Sequence, residues 1–164
     1  MQDVTEQDVT GDRDQEVHEG GCQCGGVRYR TTGQPHKSAI CHCRYCQTRT
    51  GSAFGVSAYF NAHQVTVLSG DLKRYAFTTE SGRRFETQFC TTCGTSVFWT
   101  LGLWDDVIGV AGGTFDPPSF WFDPRREVFA RSRAPFVTLD LDESHETTGS
   151  YAPVTGDLAR LRGD

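Results

Sequence analysis

The sequence predicts a mainly β protein, with sheet packed against sheet around an aromatic-rich core. Three observations point there. Eighteen of the 164 residues are glycine while leucines are few, a balance that suits turn-rich sheets better than a helical bundle. Aromatic residues make up 12% of the chain against a hydrophobic total of 37%, so rings supply an unusual share of the apolar surface to be buried. Short stretches of alternating polar and apolar residues are separated by turn signals.

The elements follow in chain order. Arg28-Tyr29-Arg30 alternates inside a strand expected over residues 27–31, closed by Gly33. The one helical turn expected covers residues 44–50, inside a cysteine cluster and ended by Gly51. Further strands are expected at 54–60, 64–68, 73–78, 84–89, 96–100, 107–112 and 127–130. Gly70-Asp71, Gly82, Gly94, Gly102 and Asp116-Pro117-Pro118 punctuate them. Asp116 is expected to cap its turn rather than face a pocket, since Asp favours such turns. Trp99, Trp104 and Trp121 are expected in the core or at a pocket rim, and Tyr45 at the pocket itself.

The length suits one domain. Residues 1–19 read as a disordered acidic tail, where Asp3, Glu6, Asp8, Asp12, Asp14, Glu16 and Glu19 face only Arg13. Such a segment lacks the apolar surface to offset the entropy of ordering. Residues 20–143 form the expected domain, and 144–164 a polar extension that either drapes over it or frays. The formal net charge of -5 argues against a nucleic-acid-binding face. No stretch approaches the roughly 18–20 apolar residues of a membrane span, and the acidic N-terminus is unlike a signal peptide. A cytoplasmic location is expected. In that reducing compartment stable disulfides are disfavoured, and seven cysteines would in any case leave one over.

All seven cysteines fall in three clusters: Cys22-Gln23-Cys24, Cys41-His42-Cys43-Arg44-Tyr45-Cys46 and Cys90-Thr91-Thr92-Cys93-Gly94. The third is a zinc-knuckle signature, in which Gly94 lets the chain turn so that amides can point at the sulfurs. It supplies two of the four ligands that a structural zinc needs. The first cluster is its natural complement, because residues i and i+2 of a strand share a face. Cys22, Cys24, Cys90 and Cys93 therefore make a closed structural zinc site. Cys41, Cys43 and Cys46 remain as three ligands of a second ion, and an open fourth position is what separates a catalytic zinc from a structural one. Two zinc ions per chain are expected on this count. His42, or a remote His or Asp, is the alternative fourth ligand; lying between two ligands, His42 is expected to turn its ring away. His18, His36, His63 and His145 are expected at the surface, His18 within the tail. Thioredoxin-like chemistry is disfavoured because neither CxxC opens a helix in a βαβ setting.

The ordered set GGCQCGGVRYR, CHCRYCQTRTGSAF, FCTTCGTSVF and GGTFDPP resembles the glutathione-dependent formaldehyde-activating enzyme family, which also includes centromere protein V. The resemblance runs from about residue 20 to about residue 141. It implies a β-tent fold of small antiparallel sheets braced by zinc. It also implies Cys22, Cys24, Cys90 and Cys93 as structural zinc ligands, and Cys41, Cys43 and Cys46 as ligands of the catalytic zinc. The implied activity is that of a carbon–sulfur lyase of the S-(hydroxymethyl)glutathione synthase type, with glutathione or an analogous small thiol and an aldehyde as partners. The chemistry suits the site: a thiol attacks as thiolate, and a zinc with an open position can hold the incoming sulfur and lower its pKa. The chain departs from the family pattern in two places. Arg133-Ala134-Pro135-Phe136 stands where many members carry a basic residue followed by Trp, and no Arg immediately precedes Phe89-Cys90, although Arg83 and Arg84 lie upstream. Anchoring the two glutathione carboxylates needs cations, for which Arg44, Arg49, Lys73, Arg84 and Arg133 are candidates by charge. The alternative reading is a non-catalytic, zinc-stabilised binding module.

Overall fold

The computed structural model describes residues 13–154. Two sheets carry the fold. Strands β1 (Val17–Gly21), β2 (Arg28–Thr32) and β5 (Val65–Ser69) form a three-stranded antiparallel sheet in the order β1-β2-β5. The larger sheet contains β3 (Lys37–Cys41), β4 (Gly55–Asn61), β6 (Leu72–Thr78), β7 (Arg84–Cys90), β8 (Ser96–Leu101), β9 (Val107–Ala111), β10 (Arg126–Val128) and β11 (Glu143–His145). Its order is β11-β10-β3-β4-β9-β8-β7-β6. Every pairing in it is antiparallel except those of β10, which runs parallel to both β3 and β11. A short helix, α1 (Arg44–Thr50), interrupts the β3–β4 hairpin and ends at Gly51 in the left-handed conformation. The fold is thus mainly β, as expected, and the helix falls where its sequence signals put it. Among the described residues no helix is long and apolar enough to cross a membrane.

The two faces of the larger sheet do different work, and the strand period separates them. On one face Ala58 and Phe60 of β4, Phe98 of β8 and Val110 of β9 pack with Val27 and Tyr29, filling the space between the sheets. Phe115 and Phe122 close this core, with Tyr29 edge-on to Phe98 and Phe115 at ring separations of 5.1 and 5.5 Å. Fully burying such side chains contributes roughly 1.5–3 kcal/mol each. The buried Tyr29 hydroxyl is satisfied by Thr114 Oγ1 at 2.8 Å. On the opposite face Lys37, Ala39 and Cys41 of β3, Tyr59 of β4, Leu101 of β8, and Arg126 and Val128 of β10 line a cavity. Trp99 shares that side, buried against Gly109 of β9 so closely that a Cβ there would lie 2.1 Å from the indole Nε1.

Several expectations are corrected. The tail expected to run to residue 19 ends sooner: Val17–Gly21 is a strand, because its backbone pairs with β2 and Arg30 holds Glu19 (2.6 Å). His18 therefore lies in a strand, its ring stacked on Trp121 at 3.6 Å. Residues 1–12 of the tail and 155–164 of the extension lie outside the described residues. β3 and β11 stand where no strand was expected, and the strand expected at 127–130 stops at Val128. Asp116 neither caps its turn nor reaches the cavity. Its carboxylate accepts a two-pronged ion pair from Arg28 (one contact at 3.0 Å), which lowers its pKa and ties β2 to the turn after β9.

Candidate functional site

Two groups of sulfurs could hold a metal ion, and they are the two expected from spacing. Cys22 and Cys24 lie in the β1–β2 turn; Cys90 ends β7 and Cys93 lies in the β7–β8 turn. The group therefore joins the tip of one sheet to the tip of the other. Its four Sγ atoms lie within 4.8 Å of one another, with Cys22–Cys24 at 3.4 Å and Cys24–Cys90 at 3.8 Å. Sulfurs at tetrahedral positions about 2.3 Å from a zinc ion are about 3.8 Å apart, so the donor set fits zinc. The surroundings fit a negatively charged cluster as well. The Val27 amide donates to Cys22 Sγ (3.2 Å), the Thr92 amide to Cys90 Sγ (3.4 Å), and Thr95 Oγ1 lies 3.2 Å from Cys93 Sγ. The Thr95 hydroxyl and amide hold the Cys93 thiol down at about 5. Gly94, at φ +74°, makes the tight knuckle that aims these groups.

The second group is built by the β3–β4 hairpin. Cys41 ends β3 opposite Gly55, Cys43 is the residue that enters α1, and Cys46 is buried in the first turn of that helix. Residues three apart share a helix face, which brings Cys43 and Cys46 together beside Cys41. Their Sγ atoms lie within 4.8 Å of one another, and among the described residues no His, Asp or Glu joins them. Hydrogen bonds from Cys41 and Cys43, followed by the Arg49 guanidinium, hold the Cys46 thiol well below its ordinary pKa. Cys41 is pushed up by its two neighbours and by burial. Three soft sulfurs are a donor set for zinc with one position unfilled by protein.

His42 turns away from the cluster. It is completely buried, and its Nε2–H donates to Glu127 Oε2 at 2.8 Å. Glu127 in turn accepts from Arg133 (2.7 Å) and Ser144 (2.8 Å). Burial works against the charge of Glu127, but Ser144, His42 and Arg133 outweigh it and lower its pKa. This chain fixes the cysteine loop against β10 and was not visible in the sequence, where Glu127 is 85 residues from His42.

The three sulfurs open on a cavity of about 480 Å³, a volume suited to a small-molecule ligand. Phe85, Leu101, Leu103 and Trp104 give it an apolar side, and Tyr45 lines it as expected. Its cations are Lys37, Arg83, Arg84 and Arg126, against Glu80. Arg84 pairs with Glu86 (2.5 Å) and Arg126 with Glu143 (3.4 Å). Lys37 lies over the Trp104 ring at 5.0 Å; neither it nor Arg83 is ion-paired among the described residues. Of the cations picked by charge, only Arg84 reaches the cavity wall. Arg49 lies 4.0 Å above Trp99 behind Cys46, Arg133 braces Glu127, Arg44 bonds Gln47, and Lys73 sits exposed on β6. Lys37 and Arg126 were missed, since only the pairing of β3 with β10 puts them on one face.

A sheet protein with two thiol clusters able to take zinc, one joining the sheets and one open to a cavity, is the class this geometry defines. Residues 17–132 match the family model described as glutathione-dependent formaldehyde-activating enzyme, and the chain belongs to that family. A comparison with curated proteins finds no match. Among solved structures the chain is similar to a Rhodobacter sphaeroides protein from a structural-genomics programme, at 22% identity and a TM-score of 0.49, over 65% of this chain and 97% of that one.

Proposed function

We propose that the protein is a zinc-dependent carbon–sulfur lyase-like enzyme of the S-(hydroxymethyl)glutathione synthase type, acting on a thiol–aldehyde adduct in the cytoplasm. Cys41, Cys43 and Cys46 are the ligands of its catalytic zinc; Cys22, Cys24, Cys90 and Cys93 hold a structural one. The observation that carries this reading is the opening of a three-sulfur cluster onto a cavity of about 480 Å³ in a chain of this family. Bound at that cluster, zinc supplies an electrophilic centre that favours the thiolate form of an incoming thiol.

The reaction forms one bond, between the thiol sulfur and the aldehyde carbon, and the thiol proton ends on the former carbonyl oxygen; the lyase direction reverses this. The chain's own residues contribute binding and orientation. Lys37 and Arg83, which line the cavity and make no close ion pair among the described residues, are the anchors for the carboxylates of glutathione. Phe85, Leu101, Leu103 and Trp104 exclude water on one side, which strengthens those charge contacts. Arg49, behind Cys46, offsets the excess negative charge of three thiolates.

The test mixes the zinc-loaded protein with glutathione and formaldehyde and follows exchange between free and hydroxymethylated glutathione by NMR. Acceleration over the uncatalysed rate is expected. No acceleration across several thiols and aldehydes would replace this reading with a binding module.

A further inference from the structure

Residues 143–154 lie beyond the family-matched stretch of 17–132, yet they form part of the cavity. At one end β11 pairs with β10, and Ser144 Oγ donates to Glu127 Oε1 at 2.8 Å. At the other end the Ala152 amide donates to Ser81 Oγ (3.3 Å) and the Val154 amide to the Glu80 carbonyl (2.8 Å). The segment therefore spans from β10 to the turn between β6 and β7. Between these anchors His145, Thr148, Gly149, Ser150 and Tyr151 line the same cavity as Cys41, Cys43 and Cys46. Tyr151 is held in place: its ring stands edge-on to Phe129 at 5.4 Å, and Arg131 Nη2 donates to its hydroxyl at 3.0 Å.

The sulfur cluster can recognise a thiol only by its sulfur, a feature that all thiols share. Discrimination among thiols must then come from the walls that meet the rest of the molecule, where a clash or a missing contact changes affinity by one to two orders of magnitude. We propose that the segment from Glu143 to Tyr151 is the substrate-selecting wall of the thiol site, limiting the ligand to a small polar thiol of about tripeptide size. This rests on the thiol-binding reading of the cysteine cluster. The hydroxyls of Thr148, Ser150 and Tyr151 and the His145 imidazole make the wall polar, in contrast to the apolar side formed by Leu101, Leu103 and Trp104.

Gly149 gives a direct probe. A Cβ placed there meets no atom within 4 Å, and its backbone is outside the left-handed region, so Gly149→Trp adds bulk at the wall from a position where the backbone accepts a side chain. Glutathione, 2-mercaptoethanol and a cysteine-containing tetrapeptide are titrated by calorimetry into the zinc-loaded full chain, its Gly149→Trp variant and its Tyr151→Ala variant, with zinc content and Tm recorded. Gly149→Trp is expected to weaken glutathione by about tenfold while changing 2-mercaptoethanol by less than about threefold. Tyr151→Ala is expected to improve a tetrapeptide thiol relative to glutathione by several-fold. Unchanged ratios in both variants overturn the proposal, as does the absence of any thiol binding. Thiol binding with shifted ratios but no catalysed exchange supports the wall and sinks the lyase reading; catalysed exchange with unchanged ratios does the reverse.

Discussion

At Cys43 a strand end and a helix start meet, and its sulfur completes the set formed by Cys41 on β3 and Cys46 on α1. Cys43→Ser keeps the size of the side chain and removes a soft ligand. The variant should lose the zinc of this cluster, keep that of Cys22, Cys24, Cys90 and Cys93, and lose thiol–aldehyde exchange. Metal analysis beside the NMR assay checks this, and full activity with one zinc missing would exclude the cluster as the site. Arg83→Ala should raise KM for glutathione by about tenfold with kcat little changed, because a charge-assisted contact to a carboxylate distant from the reacting sulfur contributes to binding in ground and transition states alike. The difference between these two residues also marks what the sequence could reveal. Sulfurs two and three positions apart are forced together by local geometry, which made the Cys41–Cys46 set and each half of the other group legible, and the need for four ligands joined those halves. The cations of the cavity are brought together by pairing across the sheet, and of the five candidates picked by charge four lie away from its wall.

Among the elements, β10 has three residues and a large share of the bracing. Its Glu127 holds His42, Arg133 and Ser144 at once, and so fixes the cysteine loop, the 130–132 turn and β11. The folded pKa of Glu127 is lowered, so its contribution is complete above the ordinary carboxylate range and is lost as pH falls through that range toward the folded value. Glu127→Gln should therefore cost about 2 kcal/mol at neutral pH, and the gap to the native protein should close in acid, as read by urea unfolding across pH. β9 offers a second test: Gly109→Ala drives a methyl into the Trp99 indole and should destabilise by about 1–3 kcal/mol. Strands with period-two alternation, such as β2 and β5, were legible. β1 was hidden by its acidic neighbours. β3 buries Ala39, Ile40 and Cys41 in succession and so shows no alternation, and β11 has three exposed residues with no apolar face, held extended by its partner β10.

In the molecule as a whole, one cysteine group joins the tips of the two sheets while the other sits on the far face of the larger sheet, above the cavity. Cys90→Ser should accordingly lower global stability by at least about 3 kcal/mol, and far more than Cys43→Ser, which leaves the link between the sheets intact. The claim on which the rest depends is that Cys41, Cys43 and Cys46 leave one position of their metal for a thiol. Cobalt in place of zinc makes that position visible, because each thiolate ligand adds to the sulfur-to-metal charge-transfer absorption. Titration of the cobalt-loaded protein with glutathione should raise that absorption to saturation at one thiol per chain, and the rise should vanish in Cys43→Ser. A spectrum unmoved by glutathione, or moved equally in the variant, would contradict the account.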